Sequence, residues 1–156
     1  MEKASDNFDI RDRLGYRVQN LSNKMILWAT RTYARKFNVG AQEWRVLTIL
    51  VRQGEWTAKN ICDFTMMDKG NVSRAIRKLV QDGCLKDKLD TVDKRRSVLT
   101  LTVKGRKLYH RIKKVSDARE KKFMSSLSTS EKKALPIILT KLDGVIEALL
   151  QETEDV

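Results

Sequence analysis

The sequence predicts a mainly α-helical fold with one small β-hairpin, α+β in class. Three observations predict it. Apolar residues recur at helical spacing towards both ends of the 156-residue chain. Only one stretch, 84–102, alternates with period two on both sides of a polar turn. Between Thr57 and Gly105 the punctuation orders a short helix, a turn, a second helix, a strand, a basic tip and a second strand. That order is a helix-turn-helix with a wing, flanked by long helices at its N- and C-terminal sides.

The first helix is read from Ile10, Leu14, Val18, Leu21, Met25, Trp28 and Thr32, a heptad-like stripe running to about Phe37. At ~1.5 Å per residue it is about 40 Å long. Gly40 to Leu50 reads as a buried-type helix with Trp44, Leu47 and Leu50 or Val51 inward, and Gly54 suits its end. Thr57 can cap the next helix, in which Ile61, Phe64 and Thr65 keep helical spacing. Asp68 can cap the one after it. There Val72, Ile76, Leu79 and Val80 form one inward stripe. The other face presents Lys69, Asn71, Ser73, Arg74, Arg77 and Lys78. Asn and Arg match the adenine and guanine edges of the major groove, whereas Ser and Lys suit phosphates. Gly83 ends this helix.

Cys84 to Leu89 reads as a strand with Leu85 and Leu89 on one side. Its partner is Ser97 to Thr102, with Leu99 and Leu101 inward and Val98 and Thr100 outward. Asp93 can hold the turn between them through side-chain to backbone bonds. Lys94, Arg95 and Arg96 have no core to join, and a narrow minor groove attracts such cations. Leu108, Ile112, Val115, Phe123 and Leu127 describe a long connecting helix over 103–127. Ser128 and Glu131 make a capping box for the last helix. Its stripe is Leu135, Ile138, Leu142, Val145 and Leu149, widened by Leu139, Ile146 and Leu150. Pro136 is expected to kink this helix or mark its first turn.

The net charge is +12, and residues 57–113 carry 15 Lys/Arg against 6 Asp/Glu. A net +9 therefore sits on the helix-turn-helix and its wing, the footprint of a polyanionic partner rather than of general solubility. The basic stretch lacks the apolar insertion face a membrane-surface helix needs. No run approaches the ~18 apolar residues of a membrane span, and the charged N-terminus has no signal-peptide core, so a cytoplasmic location is expected. Cys62 and Cys84 lack metal or disulfide spacing, fit a reducing compartment and read as small core residues. His110, the single histidine, has no ligand partners by spacing, so no metal site is expected. No nucleophile elbow, P-loop or dinucleotide fingerprint occurs; no catalytic residue and no enzymatic activity are expected.

The flanking helices carry more apolar face than one small core can cover. A second copy of the chain is the simplest cover, with Leu14, Val18, Leu21, Ile138, Leu142, Val145 and Leu149 at the interface. A monomer with these helices folded back is the other reading.

Asp68-Lys69-Gly70-Asn71-Val72-Ser73-Arg74, then Asp93-Lys94-Arg95-Arg96, then Leu101-Thr102-Val103-Lys104-Gly105 resembles the MarR family of bacterial transcriptional regulators. The family pattern runs roughly D-K-x-[TN]-V-S-R, then D-x-R in the wing, then L-T-x-x-G. The resemblance covers nearly the whole chain. It implies a single MarR-like domain over 1–156, with dimerisation helices at 10–38 and 128–152. A reading head at 41–102 and a connecting helix at 103–127 complete it. By position Asn71, Ser73, Arg74 and Arg77 match the family's recognition-helix contacts. Asp93 and Arg95 match its wing pair, in which the acid orients the arginine. The family often represses genes and releases DNA when a small, commonly aromatic or phenolic, effector binds. Met25, Trp28, Arg31, Tyr33, Met66 and Tyr109 are the residues here that could line such a pocket, with Arg35 a further cation for an anionic ligand; Met and aromatic residues at helical spacing also serve as core. No cofactor is implied.

The function expected is a dimeric, sequence-specific regulator bound to a pseudo-palindromic double-stranded operator, in the first instance a repressor. An activator that displaces another repressor would use the same surfaces. A low-specificity architectural DNA-binding protein is the alternative, and Asn71 and Arg74 separate it from the first reading.

Overall fold

The computed structural model describes residues 9–89 and 97–154. Its elements in order are α1 (Leu14–Phe37), α2 (Ala41–Gln53), α3 (Ala58–Thr65), α4 (Lys69–Gln81), β1 (Leu85–Leu89), β2 (Ser97–Leu101), α5 (Val103–Ser125) and α6 (Thr129–Glu154). They fall into two compact units, Met1–Ile112 and Lys113–Val156. The fold class is the expected one, helical with a single antiparallel hairpin.

In the first unit, Ile10 does not extend the first helix. It belongs to a separate 3-10 turn, Ile10–Asp12, capped by the Asp9 carboxylate, and Arg13 is extended between that turn and α1. Asn38 stops α1 in the left-handed conformation, which Asn tolerates better than most residues. Gly54, at φ 84, ends α2 as expected. The core is built from Tyr33, Val46, Leu47, Leu50, Ile61, Val72, Leu79, Leu99 and Ile112, all fully buried or nearly so. Trp44 is half-buried beside them.

The hairpin pairs Leu85 with Leu101 at its base and Leu89 with Ser97 at its outer end. This register explains a departure from the sequence reading. Leu85 and Leu89 share a face, but only Leu85 reaches the core, and Leu89 is 68% exposed. A third segment joins the sheet: Trp56 N–H donates to Leu99 O at 3.2 Å and Leu99 N–H to Trp56 O at 2.8 Å. Thr102, expected as the last strand residue, lies beyond β2 and caps α5 instead. Its Oγ1 accepts from Gly105 N–H at 3.0 Å and donates to Gly83 O at 2.8 Å.

The second unit holds the end of α5, a short turn and α6. Leu127, expected in the helix, lies in the turn, where its N–H donates to Met124 O at 3.3 Å. The Ser128–Glu131 capping box forms: Ser128 N–H donates to Glu131 Oε2 at 2.7 Å, and Glu131 N–H to Ser128 Oγ at 3.3 Å. The bond from Ser128 N–H first, and then one from the Ser128 hydroxyl to the same oxygen at 2.8 Å, hold the Glu131 carboxyl below the usual glutamate range. Pro136 is not in the first turn. It sits seven residues inside α6, where its missing N–H leaves the carbonyl of Lys132 without its helical partner. Most of the large apolar side chains of α6, among them Ile138, Val145 and Leu149, are exposed, and Leu142 is half-buried. No helix among the described residues is long and apolar enough to cross a membrane.

Candidate nucleic-acid interface

Two caps set the helix-turn-helix. Thr57 Oγ1 accepts from Asn60 N–H at 3.1 Å, and Asn60 Oδ1 accepts from Thr57 N–H at 3.1 Å, a reciprocal box at the start of α3. Phe64, which keeps helical spacing with Ile61, is 59% exposed, whereas Ile61 is buried. Phe64 lies edge-to-face on Trp56, centroids 5.4 Å apart, because Trp56 occupies the sheet edge beside it. Met66 then turns the chain in the left-handed region, at φ 52, and Met67 packs inward.

Asp68 Oδ1 accepts from Asn71 N–H at 3.1 Å and starts α4. Val72, Ile76 and Leu79 are buried as expected, with Ala75 added to them, and Val80 is half-buried. Lys69, Ser73, Arg74 and Arg77 stand exposed on the other face, with Asn71 half-buried among them. Arg74 Nη2 donates to Asn71 Oδ1 at 2.6 Å, so the two side chains project as one preformed unit. Gly70 leaves the room for it: a Cβ there would lie 3.4 Å from Arg74 Nη1 and 3.0 Å from Asp68 Oδ1.

Lys78, expected on the nucleic-acid face, is engaged inside its own chain. Its Nζ donates to Asn38 O at 2.6 Å and to Asp82 Oδ2 at 2.9 Å, tying the end of α4 to the turn after α1. The wing residues Asp93, Lys94, Arg95 and Arg96 lie outside the described residues. The strands leading to them are placed, with Lys86 and Lys88 exposed on β1 and Ser97 Oγ donating to Asp87 across the hairpin. Lys59, which sequence reasoning passed over, lines a groove of about 750 Å³ with Lys69, Ser73 and Arg77. Its signal in the sequence is its place in the first turn of a capped helix.

The residues expected around an effector divide. Trp28 and Tyr33 meet edge-to-face at 5.8 Å, and Tyr33 meets Trp44 at 5.9 Å. Trp44 stacks on Tyr109 at 5.4 Å, completing an aromatic chain through α1, α2 and α5. Tyr33 is fully buried, and its hydroxyl has no hydrogen-bond partner among the described residues; the same holds for Gln42 Oε1. Met25 is half-buried and Arg31 exposed on the same helix. Met66 does not join them: it is 79% exposed in the turn between α3 and α4. Cys84 is buried, and desolvation pushes its thiol up, the charge of Lys104 opposing that only partly. Cys62 is half-buried beside the α3–α4 groove.

Residues 37–96, α2 to the wing, match the family model described as MarR family. The solved structure of a MarR/EmrR family transcriptional regulator from Acinetobacter sp. ADP1 superposes with a TM-score of 0.82 at 28% identity, covering 90% of this chain and 99% of that one. Over these spans the chain is similar to MarR-family transcriptional regulators. The chain is also 39% identical over 83 residues to the HTH-type transcriptional regulator BilQ of Clostridium symbiosum. That match covers 53% of this chain and only 58% of BilQ. A third likeness is to BpsR of Bordetella bronchiseptica, whose DNA binding is described as regulated by 6-hydroxynicotinic acid. Its TM-score is 0.76 at 20% identity, over 87% of this chain and 96% of BpsR.

Proposed function

We propose that this chain is a MarR-family regulator, a homodimeric, sequence-specific DNA-binding repressor released from its operator by a small aromatic effector. The observation that carries the DNA reading is the Asn71–Arg74 pair. A guanidinium already held 2.6 Å from a neighbouring amide presents two side chains suited to base edges with little rotamer freedom left to lose. Lys69, Ser73 and Arg77 surround it for phosphates, and the wing cations Lys94, Arg95 and Arg96, with Asp93, are assigned to the minor groove. Lys78 is left out of the contact set because its charge is already used.

The dimer reading rests on the exposed apolar faces of α1 and α6, and it sets two recognition helices about 34 Å apart for one face of the duplex. The effector reading rests on Tyr33. A buried hydroxyl without a partner costs roughly 1–3 kcal/mol, and a ligand acceptor reaching it from among Trp28, Trp44 and Tyr109 would recover that cost. An effector disfavouring the DNA-bound state by about 2–3 kcal/mol weakens binding ~30- to 150-fold.

The test is fluorescence anisotropy with a promoter-derived duplex against a scrambled one, at about 50 and 200 mM salt. A preference of ~10³-fold or more with a steep salt slope supports the reading. Equal affinity for every sequence in a randomised pool would replace it with an architectural DNA-binding protein.

A further inference from the structure

The start of α5 carries a charge arrangement that the DNA reading does not use. Lys104, Lys107, Leu108 and Arg111 are spaced to share one helix face. Together with Phe37 and Val39 they line a cleft of about 710 Å³. That volume lies in the ~300–1,000 Å³ range of small-molecule sites, far above what an inorganic ion fills.

The electrostatics of the cleft are unbalanced. Among the described residues, none of Lys104, Lys107 and Arg111 forms an ion pair. Among the described residues one acid, Asp82, reaches the cleft, and its carboxylate accepts from Lys78 Nζ at 2.9 Å, so its charge is already matched. Cys84 at the cleft is buried and its thiol is held in the neutral form by desolvation, so it supplies no anion either. Three cations therefore face one space with no free counter-charge among the described residues.

The apolar half of the cleft orients one of them. The Arg111 guanidinium lies 5.3 Å from the centre of the Phe37 ring. A cation held over a ring face does not use up its N–H donors, which stay available to a carboxylate. Val39, almost fully buried, and Leu108 continue the apolar wall. A phosphate backbone would meet the cations but gain nothing from Phe37, Val39 and Leu108. An organic acid with a ring or branched hydrocarbon body meets both.

We propose that this cleft is a binding site for a small organic carboxylate with an apolar body, gripped by Arg111, Lys107 and Lys104 and seated on Phe37 and Leu108. The site is separate from the aromatic chain around Tyr33. Tyr109, one residue on from Leu108 and so rotated by about 100°, stacks on Trp44 instead. Lys78 links the site to the recognition helix, because it spans Asn38 and Asp82 at the cleft edge. A bound anion competes for that ammonium.

Isothermal titration of the full chain with naphthylacetate and with its uncharged amide tests this. The acid is expected to bind at least about tenfold tighter than the amide. Lys107→Glu with Arg111→Glu should abolish acid binding, and Lys107→Gln with Arg111→Gln should weaken it, with the circular dichroism of both unchanged. Tyr33→Phe and Lys121→Glu should leave it as it was. No heat with the acid at millimolar concentration, equal affinity for acid and amide, or full affinity in the charge-reversed variant overturns the proposal. Loss only of DNA affinity in that variant would reassign the three cations to phosphates and overturn it equally.

Discussion

Gly105 lies with its bare α-carbon against the backbone carbonyl of Cys84. A Cβ on residue 105 would overlap that carbonyl oxygen and stand 3.0 Å from its carbon and 2.9 Å from Leu101 Cδ2. The same carbonyl accepts from Thr102 N–H and from Thr102 Oγ1, both at 3.1 Å. The start of α5 is thereby pinned to the start of β1 through one peptide group. Gly105→Ala must push backbone away from backbone, which side-chain rotation cannot relieve. Overpacking of this kind costs about 1–3 kcal/mol. Urea denaturation followed by circular dichroism should show the midpoint fall, and an unchanged midpoint would mean that α5 can shift without strain.

Arg74 and Lys78 lie four residues apart on α4, yet they should behave oppositely on substitution. Arg74→Ala removes a side chain held by Asn71 and otherwise exposed. It should leave stability nearly untouched, cost about 1–3 kcal/mol in operator affinity and relax preference at one base position. Lys78→Met removes the tie to Asn38 O and Asp82. It should lower stability by about 1 kcal/mol, the worth of such a hydrogen bond, and change the salt slope of DNA binding little. Anisotropy titrations across salt, paired with urea melts, separate the two. Lys78→Met reducing the salt slope by about one charge would return Lys78 to the phosphate contacts.

The contrast shows which parts of the interface were readable without coordinates. The order of helices, the caps at Thr57, Asp68 and Ser128 and the stripe through Val72, Ile76 and Leu79 are local features, and sequence spacing encodes them directly. Long-range partners are not encoded that way. Lys78 and Asn38 are 40 residues apart, so spacing alone placed Lys78 with the other cations of α4. The pairing of Trp56 with Leu99 was hidden for the same reason, and with it the outward position of Phe64. Leu89 failed on register: alternation gives the face of a strand, not how far along it the core extends. Thr102 and Gly105 had been legible only as a family pattern. Their physical reason, a cap and a bare α-carbon on one carbonyl, needed the packing.

Glu131 gives the second unit a pH dependence of known sign. Its carboxylate accepts from Ser128 N–H and Ser128 Oγ, and these bonds lower its folded-state pKa below the ordinary value of 4.5. A group depressed in the folded state stabilises fully above its unfolded pKa, and that contribution is lost as pH falls through the folded one. Wild type should therefore exceed Glu131→Ala in the melting temperature of α6 at neutral pH. The gap should be constant down to the ordinary glutamate range and narrow below it. A gap that widens on acidification would contradict the assignment of the capping box.

The exposed apolar face of α6 supports the most consequential test of the proposed assembly. Val145 and Leu149 are 57% and 50% exposed within the chain, and Ile138 and Ile146 stand exposed with them. Leaving so many branched aliphatic side chains in water forgoes about 25 cal/mol for each Å² that a partner could cover. Val145→Glu with Leu149→Glu introduces charges that are harmless in the separate chain, since both side chains already face solvent, and severe at a two-fold interface where each meets its own symmetry mate. Sedimentation velocity should show wild type at the mass of two chains and the double variant at one, with helical content retained. Operator affinity should fall by at least about 100-fold, because two half-sites are no longer bound by linked heads. Wild type sedimenting as a single chain would refute the dimer outright. A double variant that stays dimeric would move the interface away from Val145 and Leu149, leaving the stripe of α1 at Leu14, Val18 and Leu21 as the next surface to reverse in charge.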